Sequence, residues 1–185
     1  MKAIILAAGK GSRLGSVTEN IPKGMLEVFG KTLIERQIEI YRNCGIEDIT
    51  IVTGYKNEII NYSNVDYILN QNYATTNINE SLFCASKKLT DEVIISYTDI
   101  IFEQKIIRQM LEFSGDIGIA VNVNWRKNYE GRSFHPLSEA ENVLIENESV
   151  YEIRKKISKS TFNQQIAEFL GIMKLSQKGG KILLE

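Results

Sequence analysis

Between Ala3 and Val123, short runs of β-branched and other apolar residues alternate with segments of helical period, and this alternation most restricts the fold. Ala3-Ile4-Ile5-Leu6 is continuously apolar and runs into Gly9-Lys10-Gly11-Ser12, the pattern of a strand buried on both faces that feeds a loop. Thr32 and Glu35 have capping-box spacing, and Ile34, Ile38 and Tyr41 follow at helical intervals until Gly45. Ile49 to Thr53 and Tyr67-Ile68-Leu69 read as strands, Ile78 to Leu89 as helix, Glu92 to Tyr97 as strand, Glu103 to Phe113 as helix and Asp116 to Val123 as strand. Apolar strands alternating with amphipathic helices build βαβ units, so the expected class is α/β, with a mostly parallel central sheet flanked by helices. Beyond Asn124 the alternation fades into a polar, aromatic and irregular stretch, Trp125 to Glu141. Val143-Leu144-Ile145, Val150 to Ile153 and Leu170 to Leu175 are expected as an antiparallel edge extension. With no repeat and no low-complexity linker, residues 1–185 are expected to form one domain.

A chain of 185 residues buries roughly 70% of the surface that its unfolded form exposes, so it needs no disulfide or metal staple. Apolar residues at 43% and charged residues at 24% exclude a disordered chain. Twenty-two basic against twenty-three acidic residues give a net charge of −1, which argues against wrapping nucleic acid yet leaves local cations for one small anion. Cys44 and Cys84 form no CxxC pair and are expected as buried, reduced thiols in helices. A lone histidine, His135, excludes a multi-histidine zinc site and, preceding a proline, reads as structural. No stretch reaches the ~18 apolar residues of a membrane span, and the start carries no signal-peptide pattern, so a cytoplasmic protein with no membrane partner is expected.

Two phosphate-binding patterns narrowly miss. In a dinucleotide fingerprint the glycine after Gly9-x-Gly11 would fall one residue before Gly15, and in a Walker A loop Gly30-Lys31-Thr32 would need a glycine at Met25. The string Leu6-Ala7-Ala8-Gly9-Lys10-Gly11-Ser12-Arg13-Leu14, followed by Pro22-Lys23, has a physical logic of its own. Small residues let backbone N–H groups close on a phosphate chain, Arg13 supplies a fork for phosphate oxygens, and Lys23 a compact charge. The alternative is a solvated glycine turn beside two surface cations, and the spacing of the whole string outweighs it.

This string resembles, residue by residue, the signature of the MobA-like and sugar-phosphate nucleotidyltransferase superfamily. The resemblance implies a Rossmann-like domain that takes up a nucleoside triphosphate through Leu6, Ala7, Ala8, Gly9, Gly11 and Ser12, with Arg13 and Lys23 as catalytic cations. Asp99 lies just past an expected strand, where open α/β sheets bind ligands. In the family an Asp at that position holds Mg²⁺; the alternative is an N-cap for the helix near Glu103, for which Asp99 stands too early. The implied reaction is attack of an anionic phosphate or phosphonate oxygen on the α-phosphorus with loss of pyrophosphate, which needs positioned charge rather than a general base.

Asn72 to Asn77 with Ser81-Leu82 is similar to a stretch of phosphocholine cytidylyltransferases, which implies nucleotide contacts from Asn77 and Ser81. Trp125 to Arg132, His135 to Glu141 and Ala167 to Gly171 look like the acceptor region of relatives acting on phosphocholine or aminoethylphosphonate, and phosphoglutamine cytidylyltransferases are a related variant. The resemblance thus covers nearly the whole chain and implies CTP and a small phosphorylated or phosphonylated amino-alcohol as partners. A cationic acceptor end needs an aromatic face or a carboxylate. Trp125 and Tyr129 offer the first, Glu168 in preference to Glu130 the second, and Lys155 with Arg126, Lys127 and Arg132 suit the anionic end. The competing reading is a surface flap whose aromatics fill a satellite core. Family members continue into a helix-rich segment with a second metal-binding Asp, whereas this sequence stops at Glu185 at an apparent helix start. That leaves open a truncated domain, a second ligand from elsewhere, or a weakly active or inactive protein. A sugar-1-phosphate nucleotidyltransferase is the rival enzyme.

Overall fold

In a computed structural model, residues 1–132, 136–157, 161 and 163–185 are described, except for the side chain of Arg13; His135 lies outside this set. The described residues form two compact units, Met1–Gly118 with Ile172–Glu185, and Ile119–Gly171. Among them no helix is long and apolar enough to cross a membrane.

The first unit is built on β1 (Lys2–Ala7), a hairpin of β2 (Glu27–Val28) and β3 (Lys31–Thr32), α1 (Leu33–Asn43), β4 (Ile49–Thr53), β5 (Asp66–Leu69), α2 (Ile78–Cys84), β6 (Val93–Tyr97) and α3 (Gln104–Glu112). β5, β4, β1 and β6 run parallel in that spatial order, with Ala3 opposite Ile49 on one side and Ile94 on the other. The order reverses its direction of growth at β1, which makes the gap beyond the C-terminal ends of β1 and β6 a topological switch point, where open α/β sheets take up ligands. Ile4, Leu6, Val52, Val93 and Ile95 share one core with Leu82, Ala85 and Leu89. α1 turns Leu33, Ile34, Gln37, Ile38 and Tyr41 inward, and α3 turns Ile107 and Met110.

The expected helix start and stop at Thr32 and Gly45 are present. Thr32 Oγ1 accepts from Glu35 N–H at 3.1 Å. Gly45, at φ 79°, closes a Schellman motif in which Gly45 N–H donates to Arg42 O and Ile46 N–H to Tyr41 O. The helix expected over 78–89 breaks instead at Ala85. There the chain tightens into i→i+3 bonds, Lys88 N–H to Ala85 O and Leu89 N–H to Ser86 O, and both Ala85 and Leu89 enter the core. The cysteines also differ from expectation: Cys44 caps α1 half-buried, and Cys84 is exposed because α2 directs Ser81 and Leu82 inward. The unit closes with the last residues of β10 (Gln164–Leu175) and with α4 (Gln177–Leu184), following β7 (Ile117–Asn122), β8 (Glu141–Glu146) and β9 (Ser149–Lys155) in sequence. Ile172 to Leu175 run antiparallel to β6.

In the second unit β8 pairs antiparallel with β9 and with the first residues of β10, Gln164 to Glu168. β10 therefore starts at Gln164 rather than Leu170, because the polar residues Gln164 and Gln165 are recruited by β8 across a register that apolar content does not reveal.

The β2–β3 hairpin turns through Phe29 and Gly30, at φ 50° and 74°, the two left-handed residues of a type I′ turn. Phe29 is 97% exposed, so its ring offsets none of the left-handed strain. Phe29→Asn is expected to stabilise the protein by about 1 kcal/mol, a rise of roughly 2–4 °C in melting temperature for a chain of this size. A lower melting temperature would show that the ring is held by a contact beyond this chain.

Candidate functional site

The C-terminal ends of three parallel strands carry the candidate nucleotide site of the first unit. After β1 the loop Ala8 to Gly11 leads into a 3₁₀ segment, Ser12–Thr18, entered through Gly11 at φ 70°. Thr18, 1% exposed, donates from Oγ1 to Gly11 O at 2.9 Å and holds the loop closed from beneath. A side chain at Gly11 would meet Lys23 Cβ at 3.1 Å, so this glycine admits the Lys23 stem. After β4, Tyr55 N–H donates to Ala8 O at 3.0 Å, and Gly54 is confined between Ala8 O and Tyr73. After β6, Thr98 Oγ1 donates to Leu6 O at 3.2 Å. The loop's backbone is thus anchored on three sides, and between Ala7 and Ser12 Lys10 alone carries a long side chain.

Lys23 sits in a one-turn 3₁₀ segment, Lys23–Met25, and its Nζ lies 2.5 Å from Asp99 Oδ2. The two residues are 76 positions apart, and both side chains are about one-third exposed, at 32% and 38%. A partly exposed pair of this kind contributes at most about 1 kcal/mol to stability. What it fixes is position: an ammonium and a carboxylate beside the glycine loop at the switch point. The helix-cap alternative for Asp99 is removed, since Glu103 occupies the N-cap position of α3. Among the described residues no cluster of three or more His, Cys, Asp or Glu could hold a metal ion. A single accessible carboxylate nevertheless fits Mg²⁺, which takes hard oxygen ligands and is commonly held by one or two carboxylates plus substrate phosphates. The side chain of Arg13 lies outside the described part of the structure.

Asn77 and Ser81 have structural partners. Asn77 Oδ1 accepts from Asn79 N–H and Glu80 N–H while Glu80 Oε2 accepts from Asn77 N–H, a complete capping box at α2. Ser81 Oγ accepts from Asn70 Nδ2 at 3.0 Å. Asn70, 3% exposed, also donates to Thr76 Oγ1 and accepts from Asn72 N–H, so it organises the loop that ends at Asn77. Around the loop after β4, Lys10 and Lys56 place their ammonium groups 5.6 and 5.8 Å from the Tyr55 ring centre. Asn70, Tyr55 and Gly54 were not expected as site residues; the one sequence signal was the glycine that ends a β-branched run.

The second unit gathers Trp125, Tyr129 and Glu168. Trp125 is 2% exposed and packs edge-on against Tyr129, ring centres 5.8 Å apart, in a small core with Ala140. Trp125 Nε1–H donates to Ile166 O at 3.2 Å. Arg126 and Arg132 lay their guanidinium groups over Trp125 and Tyr129 at 4.8 and 4.9 Å. The aromatics therefore fill a satellite core whose faces already carry cations, and Trp125 presents no open face. Tyr129 Oη–H donates to Glu168 Oε1. Burial, and then this bond to the carboxylate, push the Tyr129 phenol well above its ordinary pKa, so it stays neutral and donating throughout the physiological range. Lys155 Nζ pairs with Glu139 Oε2 at 2.8 Å.

The profile of the MobA-like NTP transferase domain matches residues 3–165. The chain belongs to this family. The transferase domain is 33% identical over 187 residues to a CTP:phosphoglutamine cytidylyltransferase of Campylobacter jejuni, covering 95% of this chain and 73% of that protein. It is 41% identical over 107 residues to a choline-phosphate cytidylyltransferase of Streptococcus pneumoniae, covering 56% of this chain and 47% of that one. Among solved structures it resembles the CTP:phosphocholine cytidylyltransferase of S. pneumoniae, with a TM-score of 0.64 at 25% identity over 99% of this chain and 74% of that chain. The inositol-1-phosphate CTP transferase of T. maritima shares the fold, with a TM-score of 0.75 at 22% identity over 98% and 72% of the two chains. The transferase domain is thus an enzyme domain of the nucleotidyltransferase class.

Proposed function

We propose that the protein is a Mg²⁺-dependent cytidylyltransferase that joins CMP from CTP to a small phosphorylated or phosphonylated amino-alcohol. The observation that carries this reading is the Lys23–Asp99 pair, 2.5 Å apart beside the glycine loop at the switch point, in a chain whose relatives bear cytidylyltransferase names.

The acceptor's anionic oxygen forms a new bond to the α-phosphorus as the bond from that phosphorus to the bridging oxygen breaks, and pyrophosphate leaves with that oxygen. The nucleophile is already ionised, so the chain has no proton to remove. Lys23, together with Arg13 ten residues earlier in the sequence, supplies positive charge where negative charge accumulates on the transferred phosphoryl group. The loop from Leu6 to Ser12 contributes backbone N–H groups for the phosphate chain. Mg²⁺, held by Asp99 and the phosphate oxygens, would neutralise charge and align the leaving group. In the second unit Glu168, which accepts from Tyr129 Oη–H, is the carboxylate suited to the acceptor's cationic end.

Two measurements test the reading. CTP with Mg²⁺ should raise the melting temperature more than UTP, GTP, ATP or dTTP. Pyrophosphate release from CTP should then appear with one member of a panel of phosphocholine, phosphoethanolamine, 2-aminoethylphosphonate and phosphoglutamine. Preference for UTP or dTTP with a sugar 1-phosphate would replace the proposal by a sugar nucleotidyltransferase, and CTP binding without turnover on any acceptor would leave only a nucleotide-binding module.

A further inference from the structure

One buried polar residue of the first unit is a glutamine in the middle of an apolar stripe. On α1 the buried positions read Leu33, Ile34, Gln37, Ile38 and Tyr41, and Gln37 is 1% exposed. A side-chain amide so deeply buried is costly unless its hydrogen bonds are made. Gln37 Nε2 donates to Tyr97 O at 2.8 Å and to Ile100 O at 3.1 Å, and Gln37 Oε1 accepts from Ser96 Oγ at 2.9 Å. Two carbonyls facing one end of the amide fix which end is nitrogen, so its orientation is determined by chemistry.

The two carbonyls flank Asp99. At the end of β6 the sheet ladder stops, and carbonyls that leave it need other donors. Gln37 supplies both N–H groups across the turn 97–100, while Thr98 within the same turn is bound to Leu6 O. One helical turn earlier on α1, Ile34 packs where a side chain on Gly24 would collide with it at 2.8 Å, so the same helix face also seats the residue after Lys23. α1 thus holds both members of the Lys23–Asp99 pair, one through an apolar contact and one through the amide.

We propose that Gln37 is a positioning residue: it sets the conformation of the turn that carries Asp99, and through it the placement of that carboxylate against Lys23 and the triphosphate. This rests on the reading of Asp99 as a ligand of the nucleotide-bound metal. Gln37 touches no substrate. No apolar residue of similar size can replace it, because the partly buried carbonyls of Tyr97 and Ile100 would lose the hydrogen bonds its amide gives them.

The test uses the full chain carrying Gln37→Met or Gln37→Glu. For Gln37→Met, loss of the amide should lower kcat about 10–100-fold with KM for CTP changed less than about threefold, as expected when a supporting group misplaces a ligand. Without any nucleotide, hydrogen exchange of the peptide spanning 97–101 should quicken in Gln37→Met, while the peptide over β4 and β5 keeps its wild-type rate. Gln37→Glu adds a readout that loss of packing does not produce. Its neutral carboxyl still donates one hydrogen bond, whereas the ionised form faces two carbonyl oxygens. The ratio of its kcat to wild type should therefore fall as pH rises, with near-UV circular dichroism unchanged.

A folded Gln37→Met with kcat within about twofold of wild type and unchanged exchange over 97–101 would overturn the proposal. If Gln37→Met does not fold, a pH-independent activity ratio for Gln37→Glu overturns it. Wild-type protein inactive on every acceptor would remove the functional reading alone, since the exchange arm then still decides whether Gln37 holds the turn.

Discussion

Asp99→Asn is expected to lower kcat for CMP transfer by at least about 10²–10³-fold, the usual loss when one group that stabilises transition-state charge is removed. The melting temperature should stay within about 2–4 °C of wild type, because a partly exposed ion pair contributes no more than about 1 kcal/mol. That contrast is the point of the measurement, since a merely structural pair would show both effects small. Lys23→Ala should give a similar loss of turnover. The double variant should be little worse than the poorer single one, as groups that act as a unit are not additive. Full activity of Asp99→Asn, or independent multiplicative losses in the double variant, would remove the joint role assigned to the pair. Mg²⁺ separates the partners further. Raising its concentration should partly restore Asp99→Asn, which retains one carbonyl oxygen as a ligand, and should not restore Lys23→Ala.

Much of the first unit was legible because its signals are local. The four-residue apolar run of β1 marks a strand buried on both faces, and Gly45 marks a helix end by its left-handed conformation. Asp99 could be assigned to a strand's C-terminal edge from position alone. Its partner could not, because Lys23 reaches it across 76 residues and only the parallel order of β1 and β6 brings the two together. Gln37 was not singled out in the sequence, because the meaning of a polar residue at a helical apolar position depends here on two carbonyls outside its own helix. Trp125 shows the opposite case: an aromatic in a polar stretch reads equally as a platform or as a core residue, and its 2% exposure identifies it as core. Cys84 was misplaced because a short helix broken at Ala85 rotates fewer positions inward than a continuous helix over 78–89 would.

The largest stability effect is expected at α4, where helix propensity and packing predict opposite signs. Gly179 and Gly180 lie inside this helix, where each glycine costs about 1 kcal/mol relative to alanine, so propensity alone makes Gly→Ala stabilising. The backbone contacts predict otherwise. A Cβ on Gly180 would stand 1.8 Å from Leu89 O, and one on Gly179 would stand 1.8 Å from Asp116 O. Neither obstacle is the end of a flexible side chain. Leu89 is fully buried, and Asp116 is tied to the helix start: Asp116 O accepts from Ser176 N–H, Asp116 Oδ1 from Ser176 Oγ and Asp116 Oδ2 from Lys178 Nζ. The hydrogen bonds from Lys178 and Ser176 hold the Asp116 carboxyl below its ordinary pKa, so this tie is in place above about pH 4 and is lost only as pH falls further. At neutral pH the helix cannot lift away from Asp116 without breaking it. Gly179→Ala and Gly180→Ala are each expected to destabilise by about 2–4 kcal/mol, a drop of roughly 5–15 °C in melting temperature. Lys181→Ala, on the exposed side of the same helix, should change stability by less than about 0.5 kcal/mol and serves as the control. A rise in melting temperature for either glycine variant would mean that α4 stands further from Leu89 and Asp116 than the packing described above. A fall in both would make the paired glycines the condition for seating this helix directly on the backbone.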